Sequence, residues 1–338
     1  MQARRANISI NYMGVDITKD IQPDLLNFKY TDNASDNADD IEIELKDEQV
    51  KWLNDWFPQK GDNIKASIDT VNWNKDGDTG SLYCGSFIVD EPEYSGRPRK
   101  LTIKAISMPS NTNFTSTKKS RAWENIKLSA IAKNIADSAG LELFFDAPSD
   151  PSYSRKDQSE TSDMSFLSEV CKKEGFGFKV TDSKIVIYDE AKYEQQPSIM
   201  KLSESSTLVN SYGFKTTLTN SDYAGCRVKY RNAKKGTIIE YLYSIKDLED
   251  SDKIYEVNKV VGSLEEAMRL AQKKLREVNK KGCIANLNVV GNLKLVGAIC
   301  VDLVDFGAFS GKYFIDKAIH NIPKYTVDLE MHKVLEGY

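Results

Sequence analysis

The sequence has 338 residues and a mass of 38.1 kDa, which suits about two domains or three small ones and excludes a single small module. Apolar residues make up 40% and charged residues 28%, so the chain can bury real cores and reads as a soluble globular protein. A net charge of −4 argues against nucleic-acid or anionic-lipid binding through bulk charge. Residues 1–108 carry 13 basic and 19 acidic groups (−6) and residues 201–338 carry 21 and 17 (+4), read either as a field that steers end-to-end assembly or as ordinary solvated surface.

Residues 1–108 read as strands: Ile41 to Leu45 and Leu101 to Ala105 alternate with period two, the pattern of a half-buried antiparallel sheet. One short helix is expected near Asp47 to Trp56, with Trp52, Trp56 and Phe57 on its buried face. Residues 109–200 change character. After a polar run from Ser110 to Ser120, Leu128, Ile131, Ala132, Ile135, Ala136 and Ala139 mark a helix stopped by Gly140. A second helix runs from Ser162 or Asp163 to about Glu174, with Gly175 as terminator, followed by a hairpin turning at Asp182-Ser183. Residues 201–338 return to strands around one helix near 263–281, opened by the capping box Ser263 to Glu266 and carrying Leu264, Ala267, Met268, Ala271, Leu275 and Val278 at helical spacing. Lys280-Lys281-Gly282 closes it. The fold class is therefore mainly β with an α+β insert: two antiparallel β-barrel domains, 1–108 and 201–338, flanking a small α+β module, 109–200.

The two β-segments carry an internal repeat. Gly85 to Asp90 and Gly311 to Asp316 align as glycine, any residue, aromatic, two large apolar residues, aspartate. A following strand aligns Leu101-Thr102-Ile103 with Tyr325-Thr326-Val327, changing the offset from 226 to 224 residues. Upstream, Gly61 aligns with Gly297, with a register that differs by one afterwards.

Reaction chemistry is not evident. Nucleophile-elbow, zincin and mononucleotide-loop motifs are lacking, and the only two histidines, His320 and His332, read as surface or partly packed residues of strands. Asn72 to Gly77 imitates the start of a calcium loop, but Tyr83 stands where a bidentate Glu is required, so a hairpin loop is the better reading. Asp32, Asp36, Asp39 and Asp40 could likewise bind a cation, but a solvated acidic turn leading into the Ile41 strand is the better reading. The five cysteines are scattered and odd in number, which suggests neither a disulfide framework nor a zinc site and suits a reducing compartment. No catalytic, cofactor-binding or metal-binding residue is named, and no cofactor is expected. No signal peptide is expected, and the longest apolar stretch, Leu295 to Val301, is far short of the about 20 residues of a membrane helix.

Asn37 to Asp47, Gly61 to Ile64 and Gly85 to Asp90 resemble the first domain of the phage late control protein D family, the baseplate hub proteins of contractile tails. The stretch from Gln158 to Leu167, continuing to Lys173 to Phe176, is similar to that family's most recognisable segment. Tyr313 to His320 and Tyr325 to Glu330 resemble its closing strands. The resemblance implies two tail-tube-like barrels per chain and a homotrimer with a pseudo-sixfold collar that adapts a sixfold tail tube to a threefold spike. Type VI secretion spike proteins share this hub and continue into a β-helix; since Tyr338 follows closely on the second barrel here, a separate spike protein is expected. The other partners implied are the tail tube protein and further baseplate proteins, with the tape measure as an additional candidate, but neither nucleic acid nor membrane insertion. The implied location is the baseplate of a virion or phage-tail-like bacteriocin, assembled in the bacterial cytoplasm. The alternative function is a cell-wall hydrolase or glycan-binding protein of the same tail.

Overall fold

The computed structural model describes residues 3–109, 112–181, 183–219, 221–232 and 237–337. Ser110 and Asn111 of the polar run, Asp182 of the expected hairpin turn, and Tyr338 lie outside them. The first segment contains β1 (Arg5–Tyr12), β2 (Val15–Asp16), α1 (Thr18–Ile21), β3 (Leu25–Asn33), β4 (Asp40–Lys46), β5 (Asn63–Val71), β6 (Thr79–Ser95) and β7 (Lys100–Ile106). The middle holds α2 (Thr112–Thr115), β8 (Lys119–Lys127), α3 (Leu128–Ala139), β9 (Glu142–Asp146), β10 (Ser152–Thr161), α4 (Asp163–Glu174), β11 (Phe176–Thr181), β12 (Lys184–Asp189) and α5 (Glu190–Glu194). The last segment contains β13 (Lys201–Ser203), β14 (Val209–Thr216), β15 (Gly225–Asn232), β16 (Thr237–Ser244), β17 (Ile254–Val257), α6 (Leu264–Asn279), β18 (Cys283–Val290), β19 (Cys300–Val304), β20 (Gly311–Ile322) and β21 (Thr326–Lys333).

The fold is mainly β, and its largest element is one 13-stranded sheet. Two six-stranded runs and the short β2 beside β1 make it up: β3-β4-β7-β6-β5-β1 in the first segment and β14-β18-β21-β20-β19-β13 in the last, joined where β20 pairs with β3. Alternate residues of both runs face one continuous apolar core, in which Phe28, Ile43, Phe87 and Val89 of the first unit meet Leu287, Tyr313, Ile315 and Leu329 of the second.

The repeat is exact in register. In β6, Val89 pairs with Ala105 and Glu91 with Lys104, leaving Asp90 as a bulge. In β20, Ile315 pairs with Met331 and Lys317 with Glu330, leaving Asp316 as the bulge. These pairs place Leu101 with Val327 and Lys104 with Glu330, so the offset stays at 226 residues and the expected shift to 224 is wrong. The upstream glycine alignment is also corrected. Gly61 N donates to Val89 O at 2.9 Å and Ala298 N to Ile315 O at 3.0 Å, so Ala298, not Gly297, is the counterpart of Gly61. Both have positive φ (93° and 64°), and this one-residue difference removes the register discrepancy. Gly297 is needed for another reason: a Cβ there would lie 2.9 Å from Ala34 N, at the seam between the units.

A further match emerges at β3-β4 and β14-β18. The ladder is interrupted between Leu25 and Asn27 in one and between Val209 and Ser211 in the other, and Tyr30 opposite Ile41 corresponds to Phe214 opposite Ala285. The strands are joined by residues 34–39 in the first unit but by residues 217–282 in the second. That insertion holds the sheet β16-β15-β17 and α6, with its own core of Cys226, Val228, Ala267, Leu270, Ala271 and Leu275. The helix expected as part of the second barrel thus packs on the insertion's sheet. Its buried stripe is also narrower than expected, because Leu264 and Met268 are exposed. The capping box forms one residue early on its return side: Ser263 Oγ accepts from the Glu266 amide, and the Glu266 carboxylate accepts from Gly262 N.

The middle module has a separate core built from α3, α4 and the β11-β12-β9 sheet. Both helices end as expected, at Gly140 and Gly175 in the left-handed conformation (φ 68° and 71°). In the Gln158 to Leu167 stretch, Asp163 is fully buried at the start of α4 and accepts from Lys119, Arg121 and Gln158, tying β8 and β10 to the helix. The short helix expected over Asp47 to Trp56 is a succession of turns. Asp47 Oδ2 accepts from Leu53 N, Val50 has φ 62°, and only Trp52 is buried while Trp56 is exposed.

Candidate functional site

The expectation that the histidines lie at or near the surface is wrong for both. His320 is fully buried at the β20–β3 seam, opposite Tyr30. Its Nε2 donates to Leu295 O at 2.8 Å and its Nδ1 accepts from Tyr325 Oη at 3.1 Å, the pattern of a neutral imidazole. Burial lowers its pKa to about 4. This ring fastens the seam and has no free nitrogen for acid–base chemistry.

His332, on β21, is equally buried and sits among charges from four elements. Nδ1 lies 2.7 Å from Asp316 Oδ2 of β20, and Nε2 lies 2.9 Å from Glu194 Oε1 of α5. Arg276 of α6 pairs with Glu194, and Lys280, in the turn after α6, pairs with Glu190 at 2.8 Å and Asp316 at 3.3 Å. Burial pulls the His332 pKa down, but Asp316 and Glu194 outweigh it and hold the ring above the ordinary histidine value. The donor atoms of Glu190, Glu194 and His332 lie within 4.8 Å of one another, close enough to share a cation. The cationic heads of Arg276 and Lys280 already occupy those carboxylates.

The expected solvated acidic turn is right for Asp36, which is exposed, and wrong for Asp32 and Asp39, which form a second buried cluster. Lys179 of β11 reaches from the middle module to Asp32 Oδ1 (2.5 Å), Asn33 O (2.8 Å) and Asp39 Oδ1 (3.0 Å). Asp32 Oδ2 accepts from Gly297 N at 3.0 Å, so one carboxylate joins the first unit, the middle module and the second unit. Burial raises the Asp39 pKa to about 6 even though Lys179 opposes the shift.

Other candidates close on themselves. Gly77 N donates to Asn72 Oδ1 and Asn74 N to Asp78 Oδ2, so the first oxygen of the calcium-loop look-alike is engaged within its own hairpin. The five cysteines are free thiols, and burial pushes Cys226 to about 12 and Cys300 to about 11, which keeps them protonated. A cavity of 360 Å³ lined by Ile10, Ile43, Trp52, Trp56 and Phe57 opens at one end of the first unit.

Two strand flanks related by the repeat also lack a strand partner among the described residues. Within the chain, β20 pairs Lys317 with Asn33, Ile319 with Thr31 and Ile322 with Phe28 of β3. Through the repeat, the counterpart of this β20 flank is Glu91 to Gly96, and the counterpart of the β3 edge is Tyr212 to Thr217. Among the described residues no strand pairs with either: β14 ends the sheet, and β6 pairs only with β5 and β7.

No family model matches the chain. The probable baseplate hub protein of Escherichia phage P2 is 34% identical over 177 residues, covering 51% of this chain and 42% of that protein. The probable baseplate hub protein of Escherichia phage 186 is 29% identical over 175 residues, with the same coverage. The chain thus spans well under half the length of the curated relatives it matches. Among solved structures, the tail protein from Neisseria meningitidis MC58 shares the fold, with a TM-score of 0.73 at 11% identity over 97% of each chain. The resemblance to baseplate hub proteins is carried by the two phage relatives, and the fold is that of a tail protein.

Proposed function

We propose that this chain is a baseplate hub protein of a contractile phage tail or phage-tail-like bacteriocin, closing as a homotrimer that adapts a sixfold tube to a threefold spike. In this reading segments 1–108 and 201–338 are the two tube-like units and 109–200 the module between them. The observation that carries it is the seam. One chain joins its two units through β20 and β3 and leaves the repeat-related pair, the β6 flank and the β14 edge, uncovered. Joining those across chains repeats the same ladder. Three chains of two units give six similar positions around a threefold axis.

The implied pairing sets Glu93 opposite Lys215 and Tyr94 opposite Phe214, with opposite charges and aromatic rings matched across the ladder. Pro92 withholds one amide, so the intermolecular ladder is one hydrogen bond shorter than the seam within the chain. A spike, the tail tube and other baseplate proteins are the partners of this reading, and the baseplate is its location. Its role is load transfer, consistent with relatives named for structure and with two histidines that are both engaged.

Light scattering at high protein concentration tests the assembly. Three times 38.1 kDa, about 114 kDa, is expected, and a stable dimer under those conditions contradicts it. A zymogram on peptidoglycan is expected to stay blank; clearing would favour the tail-associated hydrolase.

A further inference from the structure

We propose that His332 is a buried imidazolium that acts as a proton-dependent clamp, fastening the middle module and the inserted unit to the closing hairpin of the second unit. Such a clamp works within one chain, whatever its assembly state. An ionised carboxylate only accepts, and a neutral imidazole has only one N–H. Both ring nitrogens of His332 face carboxylates, Asp316 Oδ2 at 2.7 Å and Glu194 Oε1 at 2.9 Å, so a neutral ring would set one lone pair against another. The doubly protonated ring satisfies both contacts.

Charge balance leads to the same state. The groups facing the ring are Asp316 on β20, Glu190 and Glu194 on α5, Arg276 on α6 and Lys280 just after it, with the Phe314 ring packed at 5.3 Å. Three carboxylates face two permanent cations, and the His332 proton supplies the third positive charge. Glu194 Oε2 is buried without a hydrogen-bond partner, so when the proton leaves that carboxylate keeps only its Arg276 contact on Oε1. An uncompensated charge in so dry a site is costly.

The repeat shows that the clamp is an addition to the basic unit. Ile106 occupies the position of His332 in the first unit, where the bulge residue Asp90 is exposed to solvent. In the second unit the same two positions carry a buried histidine and a half-buried aspartate in contact with it. The elements recruited are α5, which connects the middle module to the second unit, and α6, the helix of the insertion. Loss of the proton therefore loosens two appendages at one point while the sheet register stays intact.

The chain has only two histidines, so side-chain nitrogen NMR of the intact protein resolves both rings. One ring is expected to stay doubly protonated to above the ordinary histidine value of about 6.5, and the other to stay neutral with Nε2 protonated. As the first ring titrates, amide exchange in α5 and β21, corrected for the intrinsic effect of pH, is expected to quicken about tenfold relative to α3. Asp316→Asn, which removes one acceptor without touching the ring, should shift that titration to lower pH. Two neutral rings at pH 6, or exchange in α5 and β21 that ignores the titration, would overturn the proposal. So would stoichiometric zinc in the purified chain bound through the His332 nitrogen.

Discussion

The first and last segments use one backbone plan for different ends. The bulges of β6–β7 and β20–β21 and the positive-φ turns at Gly61 and Ala298 coincide, yet β1 runs antiparallel to β5 where β13 runs parallel to β19, and the side chains off the core diverge. Glu91 pairs with Lys104 at 3.0 Å in one unit, and Lys317 pairs with Glu330 at 2.9 Å in the other, the same contact with its charges exchanged. Asp90 faces water where Asp316 binds His332. A loop over 34–39 stands where 66 residues, 217–282, form a second layer. Register depends on the core alternation and the bulge, because a one-residue slip would turn every apolar side chain outward. The remaining positions were free to be recruited for joints.

Charging the shared core is expected to have the largest effect. Val89→Asp and Ile315→Asp are equivalent substitutions at almost fully buried positions, and each introduces an unpaired charge costing several kcal/mol, enough to unfold a marginally stable unit. Because the core and sheet are continuous across the seam, both variants should lose the two units together. Two separate thermal transitions, with one unit surviving, would break the comparison.

The histidines come next. His332→Ala leaves Glu194 buried and Asp316 half-buried without the ring, a loss of about 3–5 kcal/mol set mainly by Glu194, whereas His320→Ala strands Leu295 O and the Tyr325 hydroxyl at about 1–3 kcal/mol. Denaturant titration should rank them in that order. Equal losses would mean that His332 carries no charge.

The smallest effect expected is a pH trend. His332 has a raised pKa, so its contribution is complete below about 6.5, the unfolded value, and is lost as pH rises through the folded value. Asp39, raised to about 6, likewise stabilises most below about 3.9, and that gain is lost as pH rises to 6. His320, lowered to about 4, acts oppositely: its contribution is present above about 6.5 and is lost as pH falls toward 4. Stability should therefore fall on the alkaline side, while the acid side is flattened by two opposing groups. Asp39→Asn should expose the His320 arm as a steeper acid decline in melting temperature.

Much of this plan was legible in the sequence. The period-two strands, the glycine stops of α3 and α4, and the Gly85 and Gly311 blocks all follow local rules that a short window contains. The β3-β4 match escaped because its counterpart is split by the insertion and shares only residue character, Tyr30 with Phe214 and Phe28 with Tyr212. Anchoring the second block on Tyr325 misplaced it by two residues, since that aromatic belongs to the hairpin connection before β21. The buried clusters were not legible because their partners lie far apart in sequence: Lys179 and Asp32 are 147 residues apart, and His332 and Glu194 138. Nothing near either histidine distinguishes a surface strand position from a buried one.

The central claim is that chains join by repeating the seam between their own two units. A chain carrying both Glu93→Cys and Lys215→Cys, oxidised and run on a denaturing gel, tests register and closure together, since the native cysteines are mostly buried. Covalent products that stop at three chains, about 114 kDa by three times 38.1 kDa, are expected. Uncrosslinked monomer, a product that stops at two chains, or an open-ended ladder would contradict it.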